Sequence, residues 1–378
     1  MTENTYVSGR SRSGIRGPVV LVVNHHAGQA ASAVAPAQSL AAAGVTVGEQ
    51  ILVSDLDDDH PLGAEWRARG YQAIVAAGGD GTIGTIATQI AGSGLPLGIL
   101  PLGTSNDTAR ALGIPLDLDA ASAVIAQGIP TPIDAGDVVS LPKGGSLPLT
   151  QAAVPRDGKV FLHVLTLGLN VAFARLATDV AQRQRWGKLT YAAAAIAALT
   201  QFEPVPITVH FSGSDGTHAV AASESVTCQA LQLAIINLPL FGGPLKLHLP
   251  GAAAGNGLLD LVIIEALEPP QLRTLVEGLL AAISRLAERG GAAAAEPVSA
   301  APTTDSDEAL GFALPGVRRY TIRSAVIETP KAVDVTLDGE VRAQTPVLVR
   351  MAPEPLRVLL ASESRAALGM SAGVSVVS

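Results

Sequence analysis

The sequence predicts two domains, an α/β domain with a mostly parallel sheet and a strand-rich domain that follows it. Short apolar runs alternate with helix-compatible segments early in the chain, at residues 19–24, 45–53, 73–77 and 97–100. The last two runs each lead into a glycine-containing turn and then a helical segment, which is typical of βα units. From about residue 133 the apolar runs are rich in β-branched residues and separated by turns, which favours strands.

The domain boundaries follow from this change of pattern. Strands are predicted at 160–167, 206–211, 227–237, 258–265, 320–328 and 333–337, and helices at 171–185, 189–200 and 270–289. Residues 290–315 are rich in Ala, Pro, Ser and acidic residues, which indicates a flexible insertion whose deletion should leave the fold intact. We therefore expect a flexible tail at 1–17, a first domain at 18–134, and a second domain at 135–351. Residues 352–378 should return to the first domain, with 355–360 as a strand.

Length, charge and cysteine content narrow the classes of protein. A chain of 378 residues with 48% hydrophobic content can bury two cores. The net charge of -8 disfavours a nucleic-acid partner, because phosphates require a basic surface. The single cysteine, Cys228, cannot form an internal disulfide, which fits a reducing cytoplasm. The chain shows no signal-peptide pattern and no transmembrane segment, so a membrane substrate would be reached from the surface.

The first turn with candidate ligand-binding residues is Gly-Gly-Asp-Gly-Thr at residues 78–82, between a predicted strand and a helical segment. Glycines let the backbone approach a polyphosphate, and the N–H groups and dipole of a helix start favour an anion. The Asp80 carboxylate would repel phosphate oxygens unless a cation lay between them. The turn therefore predicts Mg²⁺ beside a nucleotide triphosphate.

The second turn spans residues 101–107 and again follows an apolar run. Thr104 or Ser105 could cap the next helix, Asn106 offers amide donors and an acceptor, and Asp107 could share the metal. Turns after neighbouring parallel strands lie side by side at the ligand-binding edge of an open α/β sheet. Both aspartates could instead be ordinary turn formers, but their place in paired βα turns favours function.

Two other phosphate-binding motifs fit less well. Gly79, Gly81 and Gly84 satisfy the dinucleotide pattern G-x-G-x-x-G, but residues 97–102 lack the acidic residue that should hold the ribose. Gly187-Lys188 is followed by Leu189 rather than Ser or Thr, which excludes a Walker P-loop there.

The two turns together resemble the diacylglycerol kinase catalytic-domain family, which includes bacterial lipid kinases and sphingosine kinases. The resemblance rests on residues 78–82 and on Pro-Leu-Gly-Thr-Ser-Asn-Asp-Thr-Ala-Arg at 101–110. It extends to 133–134, 237–243, 257–260, and Asp-Gly-Glu at 338–340. It covers most of the chain. It implies a Rossmann-like, NAD-kinase-like parallel sheet, a β-sandwich second domain, and an active site in the cleft between the domains.

The same resemblance implies an ATP- and Mg²⁺-dependent kinase that phosphorylates a lipid hydroxyl, on diacylglycerol or a similar lipid at the membrane surface. It implies Glu340 as the general base, with Asp338 orienting it or assisting with metal, and a part for Asp80 in catalysis. The implied nucleotide-binding residues are Asn24, Gly28, Gly78, Gly79, Asp80, Gly81, Thr82, Gly103, Thr104, Asn106 and Asp107, and the implied metal ligands are Asp80, Asp107, Asp134 and Asn256. A cytoplasmic protein with peripheral membrane association fits this activity, and a homodimer is left open.

Two positions depart from the family pattern. His25 stands where relatives usually carry proline, and the adjacent His25 and His26 would point to opposite faces of a continuing strand, so joint metal chelation is not expected. Asn256 stands where relatives often have Asp, so an outer structural Mg²⁺ would have a weaker, uncharged ligand there.

Other functions stay open at the level of sequence. A soluble-substrate kinase related to NAD kinases would lack the Asn-Asp-x-Ala-Arg turn and the late Asp-Gly-Glu. A non-catalytic nucleotide- or lipid-binding protein would not need the acidic residues Asp80, Asp107 and Glu340. Asp338-Gly339 could also be an ordinary hairpin turn that leaves Glu340 as a solvated strand residue.

Overall fold

The computed structural model describes most of the predicted strands and the first domain's helices. The described residues are 14–25, 34–57, 60–142, 158–169, 203–214, 220–238, 240–241, 247–248, 255–266 and 316–368. The helices predicted at 171–185, 189–200 and 270–289, the insertion at 290–315, and the tail up to residue 13 lie outside them. The chain divides into two compact units, one from residues within 1–133 and 356–378 and one from residues within 134–355.

A six-stranded sheet forms the centre of the first unit. Its strands are β1 (Val19–Val23), β2 (Val47–Leu52), β3 (Ala73–Gly78), β4 (Leu97–Pro101), β5 (Ile129–Ile133) and β18 (Leu356–Leu360), in the spatial order β2-β1-β3-β4-β18-β5. All neighbours are parallel except β18 and β5. Every residue of β1, β3 and β4 is buried, which explains why their sequences are continuously apolar rather than alternating.

The helices described in this unit are α1 (Val34–Ala42), α2 (Gly63–Ala68), α3 (Asp80–Ile90), α4 (Asp107–Ala111), α5 (Leu118–Gln127) and α6 (Ser362–Ala367). The helix α3 buries Ile83, Ile86 and Ile90, which recur at helical spacing along one face. This packing holds the N-terminus of α3 next to the end of β3. No helix in the described ranges is long and apolar enough to cross a membrane.

The winding of the sheet reverses between β1 and β3. The chain leaves β1 for β2 on one side and then returns to the other side of β1 to form β3. In open α/β sheets, the carboxyl ends of strands at such a switch point form a crevice that binds ligands. Asn24 follows β1 and Gly79 follows β3, so the first predicted turn lies at this switch point.

The described residues of the second unit lie mainly in antiparallel strands. Ten of them form one sheet: β6 (Gly136–Ser140), β7 (Lys159–Phe161), β8 (Val164–Gly168), β9 (Val205–Ser214), β10 (Val220–Ile236), β13 (Leu259–Glu265), β14 (Val317–Glu328), β15 (Asp334–Leu337), β16 (Glu340–Gln344) and β17 (Val347–Met351). A separate pair consists of β11 (Leu240–Phe241) and β12 (Leu247–His248).

The long strands β10 and β14 change partners partway along their length. β10 pairs with β9 as far as Ala230, with β13 from Ala230 onward, and with β8 from Gln232 onward. β14 pairs with β13 up to Ile322, with β9 from Ile322 onward, and with β17 from Ser324 onward. These changes let the sheet close around one apolar core that includes Phe211. The predicted fold class, a mostly parallel α/β domain and a β-rich second domain, is confirmed.

Candidate active site

The turns that follow β3 and β4 pack directly against each other. Leu102 N donates to the carbonyl of Gly78 at 2.9 Å, which continues the pairing of the two strands into the turns. A Cβ added to Gly103 would lie 2.5 Å from Gly79 Cα, closer than real Cβ atoms come to backbone. Glycine at both positions therefore lets the two backbones touch and brings both turns into one site.

Asp80 links the two turns through its carboxylate. It is the first residue of α3, and its Oδ1 accepts from Thr108 N at 2.8 Å while its Oδ2 accepts from Asp107 N at 3.1 Å. Asp80 thus caps α4 from another helix, because the N–H groups of a first helical turn lack partners within the helix. The prediction that Thr104 or Ser105 caps this helix is wrong.

The chemistry of Asp80 leaves room for a cation as well. A carboxylate has about four lone-pair positions, and the two N–H bonds occupy two of them. The Asp107 side chain starts from the same helix end, half-buried like that of Asp80. Both side chains carry hard carboxylate oxygens, which are the donors that Mg²⁺ prefers.

Asn106 shapes the second turn from inside it. Its side chain is buried; its Oδ1 accepts from Gly103 N at 2.9 Å, and its Nδ2 donates to the carbonyl of Gly103 at 2.9 Å. Its φ of 51° is left-handed, a conformation that asparagine tolerates better than most residues. Asn106 therefore folds the turn, while Thr104 in the same turn is exposed.

Asn24 connects the end of β1 to the first turn of α3. Its Nδ2 donates to Thr82 Oγ1 at 3.0 Å, and its backbone N donates to the carbonyl of Ala77 at 3.0 Å. Thr82 is itself buried, so Asn24 holds it from the side of β1. Gly28, which was predicted to bind nucleotide with Asn24, lies outside the described residues.

Asp134 and Asn256 both belong to the second unit. Asp134 Oδ2 accepts from Gly257 N at 2.7 Å, and the exposed Asn256 uses Oδ1 to accept from Leu258 N at 3.0 Å. Across the described part of the chain, no three Asp, Glu, His or Cys side chains come together as a metal site. The assignment of Asp134 and Asn256 as metal ligands stays a prediction.

Glu340 begins β16 directly after a two-residue hairpin turn. Asp338 and Gly339 have φ values of 50° and 92°, as a tight hairpin turn requires. The hairpin interpretation of this segment is therefore correct as geometry, and Glu340 is exposed at its end. An exposed carboxylate next to a rigid turn is compatible with a role as general base.

Asp338 differs from Glu340 in that it is buried. Its carboxylate accepts from the backbone N of Leu162 at 2.9 Å, of His163 at 2.9 Å and of Val164 at 3.0 Å. Burial raises the pKa of the Asp338 carboxyl, whereas His163 and the three amide donors act in the opposite direction. With three of about four lone-pair positions occupied, Asp338 is better suited to orienting the hairpin than to binding metal.

The sequence resemblance included Asn237 but gave it no role, and the structure buries it at the end of β10. A signal was present, because Asn237 is a polar residue that directly follows the apolar run Ala-Ile-Ile at 234–236. Buried amides in native proteins have hydrogen-bond partners, so a polar residue at such a position predicts a specific contact.

The sequence matches models of known protein families in both units. Residues 18–138 match the model of the diacylglycerol kinase catalytic domain, and residues 164–281 match that of the YegS C-terminal NAD kinase beta sandwich-like domain. A protein of Stenotrophomonas maltophilia named "Probable lipid kinase YegS-like" is 32% identical over 252 residues, which are 64% of this chain and 73% of that protein.

Two further proteins, one known by sequence and one by its crystal structure, are similar to the chain. A protein of Mycobacterium tuberculosis named "Diacylglycerol kinase" is 31% identical over 223 residues, covering 57% of this chain and 62% of that protein, less than two thirds of its length. The crystal structure of a diacylglycerol kinase from Bacillus anthracis superposes with a TM-score of 0.57 at 20% identity, covering 92% of this chain and 98% of that one. This structural likeness concerns the fold alone.

Proposed function

Because the chain belongs to the diacylglycerol kinase catalytic-domain family, we propose that it transfers the γ-phosphoryl group of ATP to a hydroxyl group of a lipid. The observation that carries this proposal is the backbone contact between the turns after β3 and β4, beside the switch point between β1 and β3. Such paired glycine turns offer N–H groups and close backbone approach, which a polyphosphate requires.

The first turn of α3 is the proposed site of the ATP phosphates. Gly79, the residue before the helix, is extended and has no side chain that could cap the first turn. Because glycine has no Cβ, a ligand can approach the N–H groups of that turn closely. The helix dipole favours negative charge at this end. Asn24 supports the arrangement by bonding Thr82 in the same turn.

Asp80 and Asp107 would hold Mg²⁺ at the same place. When bound, the ion would offset the negative charge of the phosphates. The contribution of the chain is the fixed position of the Asp80 carboxylate, which two backbone N–H groups hold at the start of α4. A preorganised ligand of this kind does not have to be reoriented when the nucleotide arrives.

Gly103→Ala is expected to weaken Mg·ATP binding by about tenfold or more. The new methyl would meet the Gly79 backbone and lie 2.9 Å from Asn106 Oδ1, so the two turns would have to separate. Overpacking of this kind costs about 1–3 kcal/mol in stability. Titration calorimetry and thermal unfolding would measure both effects.

Gly213→Ala in β9 is the matched control for Gly103→Ala, because the nearest atom to its new Cβ would be 3.8 Å away. We expect it to leave both quantities nearly unchanged. A folded Gly103→Ala protein with normal affinity for Mg·ATP would contradict the proposal that both turns bind the nucleotide.

We assign the general base to Glu340. Phosphoryl transfer to an alcohol requires a group that accepts the hydroxyl proton, and an exposed carboxylate can do so. The exposed Val341 beside it would offer apolar surface to a lipid acceptor. In this proposal the acceptor is diacylglycerol, the substrate named for the relative from Mycobacterium tuberculosis, and it is reached at the membrane surface.

Transfer of ³²P from γ-labelled ATP tests the proposed function. The full chain is incubated with Mg²⁺ and dioleoylglycerol, sphingosine or monoacylglycerol in mixed micelles, with NAD and water as competing acceptors. Labelled phosphatidic acid is the expected product. Label on sphingosine or monoacylglycerol would establish a lipid kinase with another acceptor, and label on NAD alone would identify a soluble-substrate kinase. ATP binding without transfer to any acceptor would indicate a non-catalytic protein.

A further inference from the structure

Hydrogen bonds link five connecting segments of the second unit, meaning loops or strand ends, around residues 162–164. These connections are the segment at Asp134, the turn between β7 and β8, the end of β10, the loop before β13, and the hairpin turn between β15 and β16. They are far apart in sequence, with separations of 74 to 176 residues between bonded partners. The contacts are therefore a property of the folded unit and belong to none of the strands alone.

Asn237 is the centre of this arrangement. Its Nδ2 donates to the carbonyl of Asp134 at 2.8 Å and to the carbonyl of Leu162 at 2.6 Å, so both amide hydrogens are used. Its backbone N donates to the carbonyl of His163 at 2.9 Å. Asn237 is only 5% exposed, so its hydrogen bonds to these partners replace hydrogen bonds to water.

Asn237 and Asp338 both bind the turn at residues 162–164, one through its carbonyls and the other through its N–H groups. Asp338 binds the N–H groups of residues 162–164, and Asn237 binds the carbonyls of Leu162 and His163. A turn held through both its donors and its acceptors cannot rotate without losing buried hydrogen bonds. The hairpin that begins with Asp338 is therefore fixed, and Glu340 is two residues further on.

We propose that Asn237 is a positioning residue for phosphoryl transfer, acting on Glu340 through the turn at 162–164 and Asp338. This inference rests on the proposed function, because it assumes that Glu340 accepts the proton. Asn237 also holds Asp134, whose carboxylate binds Gly257 N, so the same amide fixes the loop before β13. A displacement of about 1 Å can cost on the order of 100-fold in rate, which makes such a support measurable.

A double-mutant cycle separates positioning from general stability. Asn237→Ala removes both donated bonds and is expected to lower kcat for dioleoylglycerol by about 100-fold, with the Kd for Mg·ATP changed less than about threefold. In a Glu340→Gln background, the same substitution should lower the residual rate by less than about threefold, because the group that it positions is already gone.

Ser324→Ala is the matched control for Asn237→Ala. It removes a buried hydroxyl that bonds Ser212 at 2.9 Å in the same unit, without touching the five connections. We expect a comparable loss of thermal stability and a normal kcat. Hydrogen exchange of the unliganded proteins gives an independent measurement, and Asn237→Ala should accelerate exchange in residues 160–166 and 334–344 more than Ser324→Ala does.

The outcomes distinguish this inference from the proposed function. If the wild-type protein phosphorylates no lipid, the proposed function fails and the inference with it. If the wild-type protein is active and Asn237→Ala lowers the rate equally in both backgrounds, or leaves kcat and exchange unchanged, only the positioning role is overturned. Should Asn237→Ala fail to fold, Asn237→Ser serves in the same cycle, since it is shorter but keeps a hydroxyl donor at the site.

Discussion

Replacement of Glu340 by Gln should lower kcat for lipid phosphorylation by about 10² to 10⁴-fold, the usual contribution of a general base. The substitution keeps the size of the side chain and removes its negative charge and its capacity to accept a proton. Because Glu340 is exposed, the fold should be unaffected. Mg·ATP affinity should also be retained, since the proposed phosphate site is built from the turns after β3 and β4.

Glu328→Gln provides an isosteric control for Glu340→Gln. Glu328 belongs to the same unit and lies 3.5 Å from His210, in a partly exposed pair that should contribute little to stability. Initial rates at saturating ATP and lipid, together with calorimetric Kd values, would be compared for the two variants. Activity within a few-fold of wild type in Glu340→Gln would remove Glu340 as the base, whereas a parallel loss in Glu328→Gln would indicate a general sensitivity of the unit.

The two nucleotide-binding turns could be predicted because their signals are local. Each turn places glycine and a carboxylate within a few residues of a buried apolar strand, and parallel strands bring their carboxyl ends to one edge. The same logic failed for the cap of α4. Asp80 lies 27 residues before Asp107, and nothing near Thr104 or Ser105 indicates that the acceptor comes from another helix.

The contacts of the second unit were harder to predict from the sequence, because the residues that form them are far apart along the chain. Asp338 bonds residues 174 to 176 positions earlier, and Asn237 bonds Asp134 across 103 positions. The exchange of partners by β10 and β14 is equally non-local, since a β-branched run indicates a strand but not its neighbours. The short strand β17 went unpredicted. β16 consists mostly of polar residues without a buried face, and it was anticipated only through the hairpin alternative for Asp338-Gly339.

Asp80→Ala is expected to abolish lipid phosphorylation, with a loss of about 10³-fold or more, and to weaken Mg·ATP binding as well. The stabilisation that a bound metal gives to transferring phosphates amounts to several kcal/mol, and each ~1.4 kcal/mol is a factor of ten in rate. The simultaneous loss of affinity distinguishes this variant from Glu340→Gln, which should affect turnover alone.

Asp80→Ala also removes the acceptor for the first N–H groups of α4, so the structural part of its effect needs a separate measurement. Asp117→Ala supplies it, because Asp117 caps α5 by accepting from Ala120 N at 2.9 Å in the same unit. Loss of a cap costs about 0.5–2 kcal/mol, and both variants should show a decrease of this size in the free energy of unfolding. Only Asp80→Ala should lose Mg²⁺-dependent ATP binding. If Asp117→Ala loses it equally, or if Asp80→Ala binds Mg·ATP normally, Asp80 is a cap for α4 and not a ligand of the metal.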